Sequence, residues 1–142
     1  MENLPIYIAL VFGATTFLTV YLFYKAAGQS RNVLMMLSAW LIVQTVISIT
    51  GFYTVTDTVP PRFALTIVPP LLFMIVLFMN AKGRRFIDSL NMKTLTLLHV
   101  IRIPMEIILL WLFINKAVPQ VMTFEGRNLD IISGITAPVI YY

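Results

Sequence analysis

The feature that most constrains this chain is a series of long apolar runs with almost no charge in them. Residues 4–24, 33–53 and 63–80 contain no charged side chain, and residues 95–115 contain one arginine and one glutamate. Each run is 18–21 residues long. At 1.5 Å per residue, a helix of that length covers roughly the 30 Å hydrocarbon core of a bilayer. The runs are apolar on all sides rather than along one stripe, so as helices they offer no face to water. Composition agrees: 59% of the 142 residues are hydrophobic and 11% charged, against about 45–50% and about 25% in soluble domains. So few charges cannot keep a surface wet. The expectation is an all-α transmembrane helical bundle, with four spanning helices and the beginning of a fifth, forming a single domain.

A secretory signal is the competing reading of the first run. It would carry a positive start and a shorter apolar core, whereas this chain opens Met1, Glu2, Asn3 and reaches its first lysine at Lys25. A retained helix is expected. The link after the second run holds Asp57 and the pair Pro60 and Pro61, which suits the start of a helix. Pro69 and Pro70 fall inside the third run and remove backbone donors, so a kink is expected there. Residues 131–142 are apolar but number only 12, about 18 Å as helix and too short to cross. They read either as a segment lying at the membrane interface or, the favoured reading, as the start of a further span, with this chain the front part of a longer one. Ala9 and Gly13 form a small-xxx-small pair of the kind that lets helices approach closely.

The formal charge is +4, but the basic residues sit in short links beside apolar runs, so no nucleic-acid partner is expected. Lys25, Arg31, Lys82, Arg84, Arg85 and Lys93 fall in alternate links, against Arg62, Lys116 and Arg127 on the other side. The richer side should be cytoplasmic. That puts the N-terminus outside and the chain in a plasma membrane as a multi-pass protein. The chain has no cysteine, so disulfides, thiol catalysis and Cys-ligated zinc do not arise.

The fourth run carries the only charges inside a span. His99, Arg102 and Glu106 are spaced by three and four, which places them within about 60° of one helix face. A lone charge at mid-helix costs about 2.5–3.5 kcal/mol on the insertion scale. An inward-facing Arg102–Glu106 pair would remove most of that. Pro104, between them, frees the Val100 carbonyl as a local acceptor and should kink the helix. On the second run, Gln44, Thr45 and Ser48 share about 100° of face and form a possible partner surface.

Two readings of the trio stand. In one, ionisable groups line a solute or proton path, with Glu106 exchanging protons and His99 relaying them; the protein is then a carrier or channel-like. In the other, the trio is interhelical glue in a non-catalytic scaffold or assembly subunit. A membrane enzyme acting on lipid or quinone ranks behind both, and no catalytic residue is assigned. With one histidine and six scattered acids, neither a metal site nor a cofactor is expected. No hydrolase, metalloprotease or nucleotide-binding signature is present. The expected partners are the bilayer and other membrane subunits or further copies of the chain. Residues 123–130 read as a link turning around Gly126, either a solvated cap or a guard at an outer entrance.

The pattern His99-x-x-Arg102-x-Pro104-x-Glu106, followed by Thr123-Phe-Glu-Gly-Arg-Asn128, resembles a bacterial family of small multi-pass membrane proteins to which no function is assigned. Members of that family look longer, with further apolar spans. The resemblance implies a bacterial inner membrane and supplies no activity.

Overall fold

The structure is a computed structural model describing residues 4–55, 58, 61–62, 64–126 and 129–141. Of the positions singled out above, Met1, Glu2, Asn3, Asp57, Pro60, Arg127, Asn128 and the final Tyr142 lie outside the described residues. So does Phe63, the expected first residue of the third run. The described residues are helical and turn structure without a strand. Seven α-helices are described: α1 (Ile6–Ala26), α2 (Arg31–Ile49), α3 (Ala64–Met79), α4 (Ala81–Asp88), α5 (Met92–Leu98), α6 (Arg102–Ile114) and α7 (Asp130–Tyr141).

Among the described residues, three segments are long and apolar enough to cross a membrane: Ile6–Ala26, Arg31–Ile49 and Met92–Ile114, the last joining α5 and α6. The pair α3 and α4 makes a fourth if counted as one bent span. These helices are compatible with a multi-pass membrane protein. The contacts divide the chain into two units, Met1–Gly28 with Asn91–Tyr142, and Gln29–Leu90.

In the first unit α1 packs against α5 and α6. The Tyr7 and Trp111 rings meet edge-on at 4.9 Å near one end, and the Asn91 amide donates to the Ala26 carbonyl at the other, at 2.9 Å. The two helical stretches therefore run antiparallel. The buried stripe of α1 is Ile8, Thr15, Leu22 and Ala26. It is not the Ala9 and Gly13 pair: Ala9 is exposed, and a Cβ on Gly13 would meet nothing within 4 Å. Helix α5 starts at Asn91, whose side chain accepts from the Thr94 amide at 3.0 Å and so satisfies an otherwise orphaned donor.

Around Pro104 the helix changes form. The helix tightens to a 3-10 turn at His99–Ile101 and restarts at Arg102. Pro104 then sits in the first turn of α6, where its missing N–H leaves no bond unmade.

In the second unit, α2 ends at Gly51, whose φ of 70° lies in the left-handed region that suits glycine. The chain continues into a 3-10 turn at Phe52–Thr54. Helix α3 continues through Pro69 and Pro70 without interruption. The sharp change of direction comes instead at Asn80, where α4 leaves α3 at 96°. Asn80 caps α4 by accepting from the Lys82 amide at 3.1 Å. Gly83 permits the bend, because a Cβ there would lie 2.2 Å from the Leu77 carbonyl oxygen.

No residue of α3 is buried within the chain. Eleven of its large apolar side chains, from Leu65 to Met79, are 42–78% exposed. Leaving that much apolar surface in water would forgo about 8–16 kcal/mol, comparable to the whole stability of a domain. Lipid or another apolar surface must cover it.

Candidate intramembrane polar site

Arg102 lies ten residues into the 23-residue stretch Met92–Ile114, about 15 Å from its start and close to its middle. Glu106 is one turn further on. Glu106 is 2% exposed and is among the few buried residues of α6.

What covers it comes from the chain beyond the helix. Helix α6 ends in a reversal at Asn115 and Lys116. Lys116 has a φ of 57°, the Ala117 amide reaches back to Leu112 O at 2.8 Å, and the Lys116 amide to Phe113 O at 2.8 Å. This pattern of a six-residue and a nested shorter loop is a Schellman closure, here with lysine where glycine is usual. The chain then returns along α6, and the 3-10 turn at Gln120–Met122 packs on that helix.

Thr123 is fully buried. Its hydroxyl donates to Gln120 O at 2.9 Å, and the Gly126 amide donates to Thr123 O at 2.9 Å. Gly126 is required for closeness: a Cβ would lie 2.4 Å from Gln120 O and 2.7 Å from Val121 Cα. This compact turn brings the Phe124 backbone amide to the Glu106 carboxylate. The link 123–130 is therefore packed at its start rather than a solvated cap throughout.

Asp130 then opens α7 and forms an ion pair with Arg102. The two side chains are 40% and 55% exposed. Arg102 thus reaches across to the next helix for its partner, while Glu106 shares the electrostatic neighbourhood of both Arg102 and Asp130. Helix α7 packs along α6, the 3-10 turn at His99–Ile101 and α5. Its Gly134 sits so tightly that a Cβ would be 2.8 Å from Ile103 Cγ1 and 3.2 Å from the His99 carbonyl. At its far end the Lys93 ammonium lies 6.0 Å above the Tyr141 ring. Helix α7 consequently runs antiparallel to α5, from the level of Arg102 back to the level of Lys93.

The sequence-selected residues separate. Arg102 and Glu106 share one site with Asp130 and the Thr123 turn. His99 is exposed, and its carbonyl faces Gly134. Gln44, Thr45 and Ser48 belong to the second unit. There the Tyr53 hydroxyl donates to Gln44 Oε1, Gln44 Nε2 is buried with no partner among the described residues, and Thr45 donates to Leu41 O at 2.8 Å. Asp130, Thr123 and the Phe124 amide are the contributors that spacing did not reveal. An aspartate directly before an apolar run does signal a helix start, but not what lies opposite it. Among the described residues no group of three metal-ligating side chains comes together.

Compared with protein-family models, curated proteins and solved structures, the chain matches none. Its class therefore rests on its own fold, a helical protein with several apolar helices of membrane-spanning length.

Proposed function

We propose that this protein is a membrane-embedded carrier or channel-like protein whose working site is Glu106 with Arg102 and Asp130, and with His99 as a relay towards the basic side. One observation carries the proposal: the Glu106 carboxyl is buried near the middle of the Met92–Ile114 stretch, in the neighbourhood of the Arg102–Asp130 ion pair. A pair serving only as glue would balance its charges. Here two acids stand against one base, and hydrocarbon would tolerate the second carboxylate's charge only when a proton or a small cation takes it up. Glu106 is the group that exchanges it.

The return of residues 115–126 along α6 supports this reading. Non-helical backbone at membrane depth persists only where protein buries it or water reaches it. Discontinuous segments of that kind, made of an irregular half and a helical half, form binding sites in transporters. On this reading the chain crosses four times, by α1, α2, α3 and Met92–Ile114. Residues 115–126 together with α7 supply a fifth, divided crossing. The N-terminus is outside and the membrane is the plasma membrane, a bacterial inner membrane by the resemblance noted above.

Proton and monovalent-cation flux in proteoliposomes tests the proposal. Glu106→Gln keeps the shape and removes the exchangeable charge, so flux should fall at least tenfold. Flux of every ion unchanged in Glu106→Gln rejects the role.

The near-complete burial of Glu106 favours the second reading, a scaffold or assembly subunit in which the same groups join α6 to α7. In that case Glu106→Gln and Arg102→Leu change melting temperature or oligomer size, and no flux is seen even in the parent protein.

A further inference from the structure

We infer that α4 is a binding site for anionic phospholipid headgroups, held flat at the membrane surface by its right-angled departure from α3. The geometry comes first. Helix α3 has 16 residues, about 24 Å of helix, and its sides are apolar and exposed. A helix that crosses hydrocarbon and then turns by 96° lays the next segment nearly parallel to the bilayer plane. The turn is built in: Asn80 caps α4, and Gly83 rests against the Leu77 backbone at a distance that no side chain could occupy.

The charge pattern comes second. At 100° per residue, Lys82, Arg84 and Arg85 fall within an arc of about 160°, and all three are exposed. Gly83, Phe86 and Ile87 occupy the opposite side and are buried or half-buried. An in-plane helix with cations on one face and an apolar face towards hydrocarbon is the form that binds anionic lipid surfaces.

The absence of competing partners comes third. Among the described residues, none of the three cations is in an ion pair or a side-chain hydrogen bond. Asp88 is the one acid on α4 and is exposed beside Arg84 and Arg85, which leaves the helix two positive charges in excess. A phosphodiester fits this surface better than a carboxylate point contact, because two neighbouring guanidinium groups can each take two phosphate oxygens. The occupant is then a phospholipid of the bilayer in which the chain sits.

The test uses the full chain in neutral detergent, titrated with dioleoylphosphatidylglycerol or dioleoylphosphatidylcholine and read as a rise in melting temperature. The glycerol lipid should bind roughly tenfold or more tightly than the choline lipid, with the preference shrinking between 50 and 500 mM NaCl. The triple variant Lys82→Gln, Arg84→Gln, Arg85→Gln should bring the two lipids within about twofold. Lys116→Gln, outside α4, should leave the preference intact. If the triple variant does not fold, Arg85→Gln alone should still narrow the preference, and Arg84→Lys with Arg85→Lys should keep most of it.

Equal affinity for the two lipids in the parent protein overturns the inference and leaves the cations to an acidic protein partner. A preference that survives the triple variant overturns it too. Inorganic phosphate at 10 mM abolishing the lipid effect would make this a free-anion site and overturn the lipid assignment.

Discussion

Both units are built around long apolar helices, yet they treat their side chains in opposite ways. Among the described residues, the first unit buries Ile8, Thr15, Leu22, Ala26, Thr94, Glu106, Ile108, Thr123, Gly134 and Ala137. In the second, α2, α3 and α4 bury only Val33 and Gly83. Hydropathy does not explain the contrast. Residue size does: six of the ten buried positions in the first unit are threonine, alanine or glycine. In lipid there is no hydrophobic gain from bringing two apolar helices together, so association follows where small residues let backbones approach and polar groups bond across the gap. The first unit has both. The flanks of α3 are large and branched instead, and they suit lipid or another chain.

The comparison can be broken by mutation, because Trp111 lies in α6 and Trp40 in α2, giving one fluorescent reporter in each unit. The largest expected contrast is between Ile108→Ala and Leu72→Ala. Ile108 is 3% exposed and Leu72 55%. The first should cost about 2–5 kcal/mol and the second under about 0.5 kcal/mol, measured by unfolding in mixed micelles. Comparable losses would erase the distinction between the units.

Glycines sharpen it next. Gly134→Ala drives a methyl group against Ile103 and the His99 carbonyl and should cost about 1–3 kcal/mol. Gly13→Ala enters open space and should gain up to about 1 kcal/mol from helix propensity. Gly83→Ala is the counterpart in the second unit. Its methyl group would strike the Leu77 backbone, so spin labels on α3 and α4 should report a changed angle between them. An unchanged distance distribution would contradict the described contact. The smallest effect is expected at Tyr53→Phe, which removes the bond to Gln44 and should shift the Trp40 transition by about 0.6 kcal/mol.

Much of the candidate site was legible as parts and not as a whole. The i, i+4 offset put Arg102 and Glu106 on one face, and the isolated proline lies just after the 3-10 turn at His99–Ile101. Asp130 escaped notice because it stands 28 positions from Arg102 in a link that reads as solvated. The route between them depends on a left-handed lysine at 116 and on a turn that only Gly126 can close, neither of which hydrophobic patterning records. The right-angled turn after the third run was equally hidden. It depends on the Asn80 cap and on Gly83 resting against the Leu77 backbone, which hydrophobic patterning does not record.

By itself, the amino-acid sequence determined that the chain is helical, where its apolar segments lie to within a few residues, and that charges enter just one of them. Those properties follow from local composition and a period of 3.6 residues. The tertiary structure alone decided that Arg102 meets Asp130, that a returning loop closes over Glu106, and that α4 departs at a right angle. Each of those depends on atoms distant along the chain coming within bonding range, and no local periodicity encodes such an encounter.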